Sequence, residues 1–218
     1  LKRKIVFDSL AIGMSPFLMN LAACFIVIII NQGLKKYGGD LAIGAFGIVN
    51  RLVFIVVMIV MGLNQGMQPI AGYNFGAKLY GRVNKVLRLT IIYATAVTTF
   101  GFLVGMLVPD LVVGIFTSDA ELTELSVTGL RITVMFFPII GFQMVTSNFF
   151  QSIGMAGKAI FLSLTRQMLI LLPCLLVLPQ FFGVAGVWYS MPVSDLLASL
   201  IALVMLVCQF RKFRTSPL

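Results

Sequence analysis

Hydrophobic residues dominate the chain in six long runs separated by short polar stretches. The runs predict transmembrane helices over about 14–32, 41–66, 89–108, 128–153, 159–179 and 184–208. Each is long enough for the roughly 20 residues that a helix needs to cross a bilayer. The breaks carry turn chemistry: Asn31-Gln32-Gly33 with Lys35 to Asp40, Pro109-Asp110, Gly154 to Gly157, and Gln180 to Gly183. Pro173 predicts a break inside the fifth run. Between the second and third runs, apolar residues 79, 83, 86 and 87 share one helical face and basic residues 78, 82 and 85 another. That pattern predicts an interfacial amphipathic helix over 78–88, with Lys and Arg meeting headgroup phosphates. Thr117-Ser118-Asp119 with Glu121 predicts the start of a short surface helix.

Composition supports this reading. Of 218 residues, 60% are hydrophobic and 11% charged, against roughly 45–50% and 25% in a soluble domain. The fold class is therefore all-α and membrane-embedded. The net charge of +9 is mostly topology. Lys and Arg fall as three, four, one and three in the N-terminal segment, the second loop, the fourth loop and the C-terminal segment, against two on the other side. By the positive-inside rule, both termini are cytoplasmic. The expected location is a plasma membrane (bacterial inner membrane), crossed several times, with the lipid bilayer and not nucleic acid as the partner of the basic residues. The first residue is Leu, and Lys2-Arg3-Lys4 read as the end of a cytoplasmic linker. The expectation is thus the latter part of a longer chain.

The chain has no His, which removes the commonest general base and transition-metal ligand. Cys24, Cys174 and Cys208 fall in separate apolar runs with no metal-type spacing and read as packing residues. No nucleophile–base constellation points to an enzyme, and no catalytic residue, metal site or cofactor is expected.

Charge inside a span is costly, about 2.5–3.5 kcal/mol on insertion scales, and marks a bundle interior or wet cavity. Arg51 and Asp195 lie at similar depth in their spans and are expected to pair or share a cavity, with Asp195 the candidate ion-coupling carboxylate. Arg166 and Arg131 are expected to snorkel towards the interfaces. Asn20, Gln143, Ser147, Asn148 and Gln151 are candidate substrate-cavity residues, with 143, 147 and 151 on one helical stripe. The stretch from Gly62 to Ala77 packs Gln65, Gly66, Gln68, Pro69, Asn74 and Gly76 into a span's mouth. Pro69 is expected to end or kink the helix there, and loosened backbone at membrane depth lines protein or water.

The sequence Gly62-Leu-Asn-Gln-Gly-Met-Gln-Pro-Ile-Ala-Gly-Tyr-Asn-Phe-Gly-Ala77 resembles the signature after the eighth span of multidrug and toxic compound extrusion (MATE) transporters. Asn31 to Gly39, Asn148-Phe-Phe-Gln-Ser-Ile-Gly154 and Gly186-Val-Trp-Tyr-Ser-Met-Pro-Val-Ser-Asp195 match in order. The resemblance implies one six-helix lobe (spans seven to twelve) of a two-lobe, twelve-span antiporter. It further implies a missing N-terminal lobe as partner, small cationic lipophilic drugs as substrates, and Na⁺ or H⁺ as coupling ion. Some family members carry acidic cation ligands in spans seven and ten. Here Asn20 and Gln143 stand in those regions, so coupling rests on the absent lobe or on Asp195. A lipid-linked oligosaccharide flippase of the same superfamily is the alternative, for which one central cation, Arg51, is few.

Overall fold

A computed structural model describes the backbone of residues 3–215; side chains are described from residue 17, apart from Met19, Ala156 and those beyond Gln209. The basic residues at both ends, Lys2-Arg3-Lys4 and Arg211-Lys212 with Arg214, thus have side chains outside the described part. The described backbone is helical, without strands. The elements are α1 (Arg3–Gly76), α2 (Tyr80–Leu107), α3 (Pro109–Gly114), α4 (Ala120–Val134), α5 (Phe137–Ser152), α6 (Ala156–Leu164), a π-helical turn (Thr165–Leu171), α7 (Leu172–Phe182) and α8 (Val184–Thr215).

At about 1.5 Å per residue, α1 is far longer than the roughly 30 Å apolar core of a bilayer. It folds back on itself at Gly39, whose φ of 67° and ψ of −162° interrupt the helix. Only glycine adopts that backbone region readily. The two arms, 3–38 and 40–76, then pack together: Ile30 and Leu34 share a core with Ala45, Phe46 and Val49. The expected loop over 35–40 is therefore a one-residue break, because the helix runs on past the apolar stretch through Lys35 and Lys36. Each arm of α1 is thus long enough to cross a bilayer. α2, the bent pair α4–α5, the α6–α7 run and α8 are each long and apolar enough to do so too.

Three other expectations are corrected. Residues 78–88 do not form a separate interfacial helix. After a turn at Lys78 (φ 59°), α2 rises unbroken from Tyr80, with Val83 and Leu87 buried and Arg82, Lys85 and Arg88 exposed. Leu79, assigned to the apolar face, is exposed. The surface helix signalled by Asp119 is the first half of a bent helix pair. Asp119 caps α4 by accepting from Leu122 N–H at 2.9 Å, and the pair bends 55° between α4 and α5, next to Pro138. Pro69 neither ends nor breaks its helix, and the Gly62–Gly76 stretch stays helical.

Two buried clusters hold the lobe. One gathers Leu34, Phe46, Val49, Val113, Phe137 and Trp188, with the rings of Phe46 and Trp188 5.9 Å apart. The other gathers Val60, Met67, Leu87, Val145, Phe149 and Phe150. Helices α2 and α5 approach closely at Gly141, where a Cβ would lie 2.7 Å from Thr98 Oγ1 and 2.8 Å from the Ala94 carbonyl. Small residues at such crossings let backbones meet in the absence of a hydrophobic driving force.

Candidate functional site

Pro173 lacks the N–H that would close an α-helical turn and presses on the carbonyl four residues back. The helix responds upstream: residues 165–171 widen to π geometry, and Leu172 N–H bonds to the Gln167 carbonyl, five residues back. The break expected at Pro173 is thus absorbed by the widened turn. Such single turns are frequent at functional sites. This one carries Arg166, whose Nε donates to Asp195 Oδ1 on α8 at 2.7 Å. Asp195 is 5% exposed. Arg166 therefore takes the place beside Asp195 that the sequence reading assigns to Arg51, instead of snorkelling to an interface.

The pair lies on a partly open cavity of about 230 Å³ lined by both arms of α1, α4, α5, the π turn and α8. Asn50, Thr133 and Ser194 bring the other polar side chains to its wall, among Phe46, Val49, Phe137, Met144 and Met191. Local geometry fixes several of them. Thr133 Oγ1 donates to the Gly129 carbonyl, Ser194 Oγ to the Met191 carbonyl, and Ser199 Oγ to the Asp195 carbonyl. A lone buried ion costs several kcal/mol in desolvation, and the Arg166 guanidinium offsets part of that cost for the Asp195 carboxylate. A cation or proton that enters competes with the guanidinium for one carboxylate.

The predicted residues distribute differently from expectation. Arg51 is exposed, roughly opposite on its helix to Phe46, Val49 and Val53, and it does not meet Asp195. Its phase is the cause, since the helix must turn its apolar stripe inward. Asn20 is exposed on the other arm, Gln143 is buried, and Ser147, Asn148 and Gln151 are half-buried on α5. None of these five lines the Asp195 cavity; the neighbouring α5 stripe, Phe137, Ile140 and Met144, does. Asn148 instead donates to the Met144 carbonyl at 2.9 Å. In the Gly62–Ala77 stretch, Asn74 is buried, with its amide donating to the Ile70 carbonyl, and Gln68 is half-buried. Gln65, Gly66, Pro69 and Gly76 are exposed.

Those exposed residues extend a longer stripe. At 100° per residue, Gly47, Arg51, Met58, Gly62, Gln65 and Pro69 fall along one outward face of the second arm. A Cβ at Gly47, Gly62 or Gly66 would meet nothing within 4 Å. A lipid-facing helix has no need of an arginine, an amide and open glycines. The lobe therefore presents two polar features: an internal cavity around Asp195 and this outward wall. Asn64, missed as a site residue, is 2% exposed, and neither polar atom of its amide has a hydrogen-bond partner among the described residues.

Comparison with known proteins places this architecture. The family model described as MatE matches residues 14–176. The chain belongs to the MatE family. A multidrug export protein, MepA of Staphylococcus aureus strain MSSA476, is 27% identical over 201 residues, covering 92% of this chain and 44% of MepA. The solved MATE multidrug transporter DinF-BH is 34% identical, with a TM-score of 0.86 over 99% of this chain and 48% of that one. An outward-facing MATE transporter matches with a TM-score of 0.89 at 19% identity, and an inward-facing one with 0.88 at 19%; these two speak for the fold alone. The chain spans about half the length of the MatE relatives it matches.

Proposed function

We propose that this lobe forms one side of the substrate pathway of a multidrug exporter. In this reading, cationic lipophilic compounds leave in exchange for Na⁺ or H⁺ by alternating access. The observation that carries it is the outward wall on α1, where Arg51, Met58, Gly62, Gln65 and Pro69 share a face that hydrocarbon would not select. A wall needs an opposite side, and the solved relatives are about twice as long as this chain. The names of MepA and DinF-BH support multidrug export. Both chain ends lie in the cytoplasm of a bacterial cell, by the distribution of Lys and Arg.

Coupling through this lobe runs through Asp195. Binding of an ion or proton to its carboxylate releases Arg166, and the freed guanidinium alters the cavity wall. The small residues Thr133 and Ser194 and the amide of Asn50 offer further oxygens. Accumulation of a fluorescent cation in cells expressing the complete transporter, with the proton and sodium gradients collapsed in turn, tests the reading. Efflux that depends on one gradient and is reduced at least tenfold by Asp195→Asn is expected. Accumulation unaffected by expression of the transporter overturns the exporter reading; full coupled efflux by Asp195→Asn removes Asp195 from the coupling.

A further inference from the structure

Arg51 stands close to the middle of its crossing. The apolar stretch from 41 to 66 centres two or three residues away, about 4 Å along the axis. From there the side chain cannot reach either interface. It is exposed, as are Phe54, Ile55 and Met58 around it, so nothing in the described part of the lobe covers it. Among its described residues the lobe offers Arg51 no counter-charge. Asp195 is taken by Arg166, and that is the ion pair found among those residues. Asp40 shares the face but lies eleven residues, about 16 Å, towards the reversal at Gly39. Asp110, Asp119, Glu121 and Glu124 sit on α3 and around the start of α4, beyond the end of α2.

We propose that Arg51 is one half of an intramembrane ion pair whose carboxylate comes from a helix of a membrane-embedded partner facing the α1 wall. The inference needs only that α1 cross a bilayer, and it goes beyond the transport reading. Three alternatives for the face of Arg51 are weaker on the same observations. Acyl chains cannot compensate a cation. A second copy of this lobe would bring its own Arg51, with its mid-depth carboxylate buried against Arg166. A free anionic ligand would leave the cation unpaired at mid-depth whenever the site is empty. A partner carboxylate neutralises the wall and fixes how the two faces register.

The test uses the complete assembly in its own membrane. Arg51 is replaced by the photocrosslinking residue p-benzoylphenylalanine, and the adducts are mapped by mass spectrometry. The expected adduct is a peptide from an apolar span of the facing partner, within one helical turn of an Asp or Glu. Arg51→Glu then lowers the melting temperature by several degrees, Arg51→Lys retains most of it, and exchanging the charges (Arg51→Glu with the partner acid changed to Arg) restores at least half of the loss. Where Arg51→Glu does not assemble, Arg51→Gln against the exchanged pair gives the same comparison. Adducts only to lipid, to a second copy of this chain, or to a span without an acid overturn the proposal, as does an exchange no more stable than Arg51→Glu alone. Because these readouts are structural, their failure leaves the exporter reading standing, and loss of efflux alone does not touch the ion pair.

Discussion

Arg166 and Asp195 meet at 2.7 Å although one stands on a π-helical turn and the other in the middle of the last long helix. Arg166 is about one-third exposed and Asp195 almost fully buried, so the pair joins the packed interior to the wall of the cavity. Removing one partner of a buried pair costs about 3–5 kcal/mol, whereas removing both costs much less. With Arg166 partly solvated, the loss falls to the bottom of that range or just below it. Arg166→Gln and Asp195→Asn should each lower stability by about 2–3 kcal/mol, and the double variant by less than their sum. Chemical unfolding of the four proteins in detergent measures the coupling; additive losses would mean that the two groups do not interact.

Pro173 should control that pair from seven residues away. Pro173→Ala restores an N–H and removes the clash that the π turn absorbs. The helix should return to α geometry, rotating Arg166 by about the 100° that one inserted residue represents. The Arg166–Asp195 coupling energy in the same cycle should then fall below about 0.5 kcal/mol, within the scatter expected of independent sites. A coupling unchanged in the Pro173→Ala background would dissociate the π turn from the ion pair.

Gly39 should be intolerant of any side chain. A residue held at positive φ with extended ψ costs about 1–3 kcal/mol, so Gly39→Ala should destabilise by that amount despite the empty space around its Cβ position. Thermal unfolding that leaves Gly39→Ala equal to the parent would place the reversal elsewhere.

Gly141 and Gly62 should respond oppositely to the same substitution. A methyl at Gly141 meets Thr98 Oγ1 and the Ala94 carbonyl, and overpacking of this kind costs about 1–3 kcal/mol. A methyl at Gly62 meets nothing, and Gly→Ala in an open helical position stabilises by about 0.4–1 kcal/mol. Melting temperatures of Gly141→Ala and Gly62→Ala in detergent compare the two directly.

The helices were legible because each crossing is written in uncharged apolar length, and Asp195 announced itself as a charge where hydrocarbon should be. Its partner was not legible. Depth along a span can be counted from sequence, and by depth Arg51 was the match; rotation about the helix axis decides contact, and there Phe46, Val49 and Val53 claim the inner face. The position of Arg166 depends further on a change of helical pitch that Pro173 imposes from downstream. The reversal at Gly39 hid for the opposite reason. Polar Lys35, Lys36 and Tyr37 suggested a loop, but they continue a helix that outlasts its apolar stretch. The long Gly62–Ala77 stretch was recognisable by its residues, while its regular helical backbone as far as Gly76 reflects how neighbouring packing carries a proline when only one bond is lost.

The central claim is that the outward stripe of α1 borders water and not lipid. Single cysteines at Met58, Gly62 and Gln65, in the complete transporter with Cys24, Cys174 and Cys208 replaced, should react with a membrane-impermeant, charged thiol reagent, and a bound cationic substrate should slow that reaction. Cysteines at the exposed apolar positions Leu176 and Leu203 serve as lipid-facing controls and should stay unreactive. Reactivity at Met58, Gly62 and Gln65 no higher than at those two controls would contradict the account.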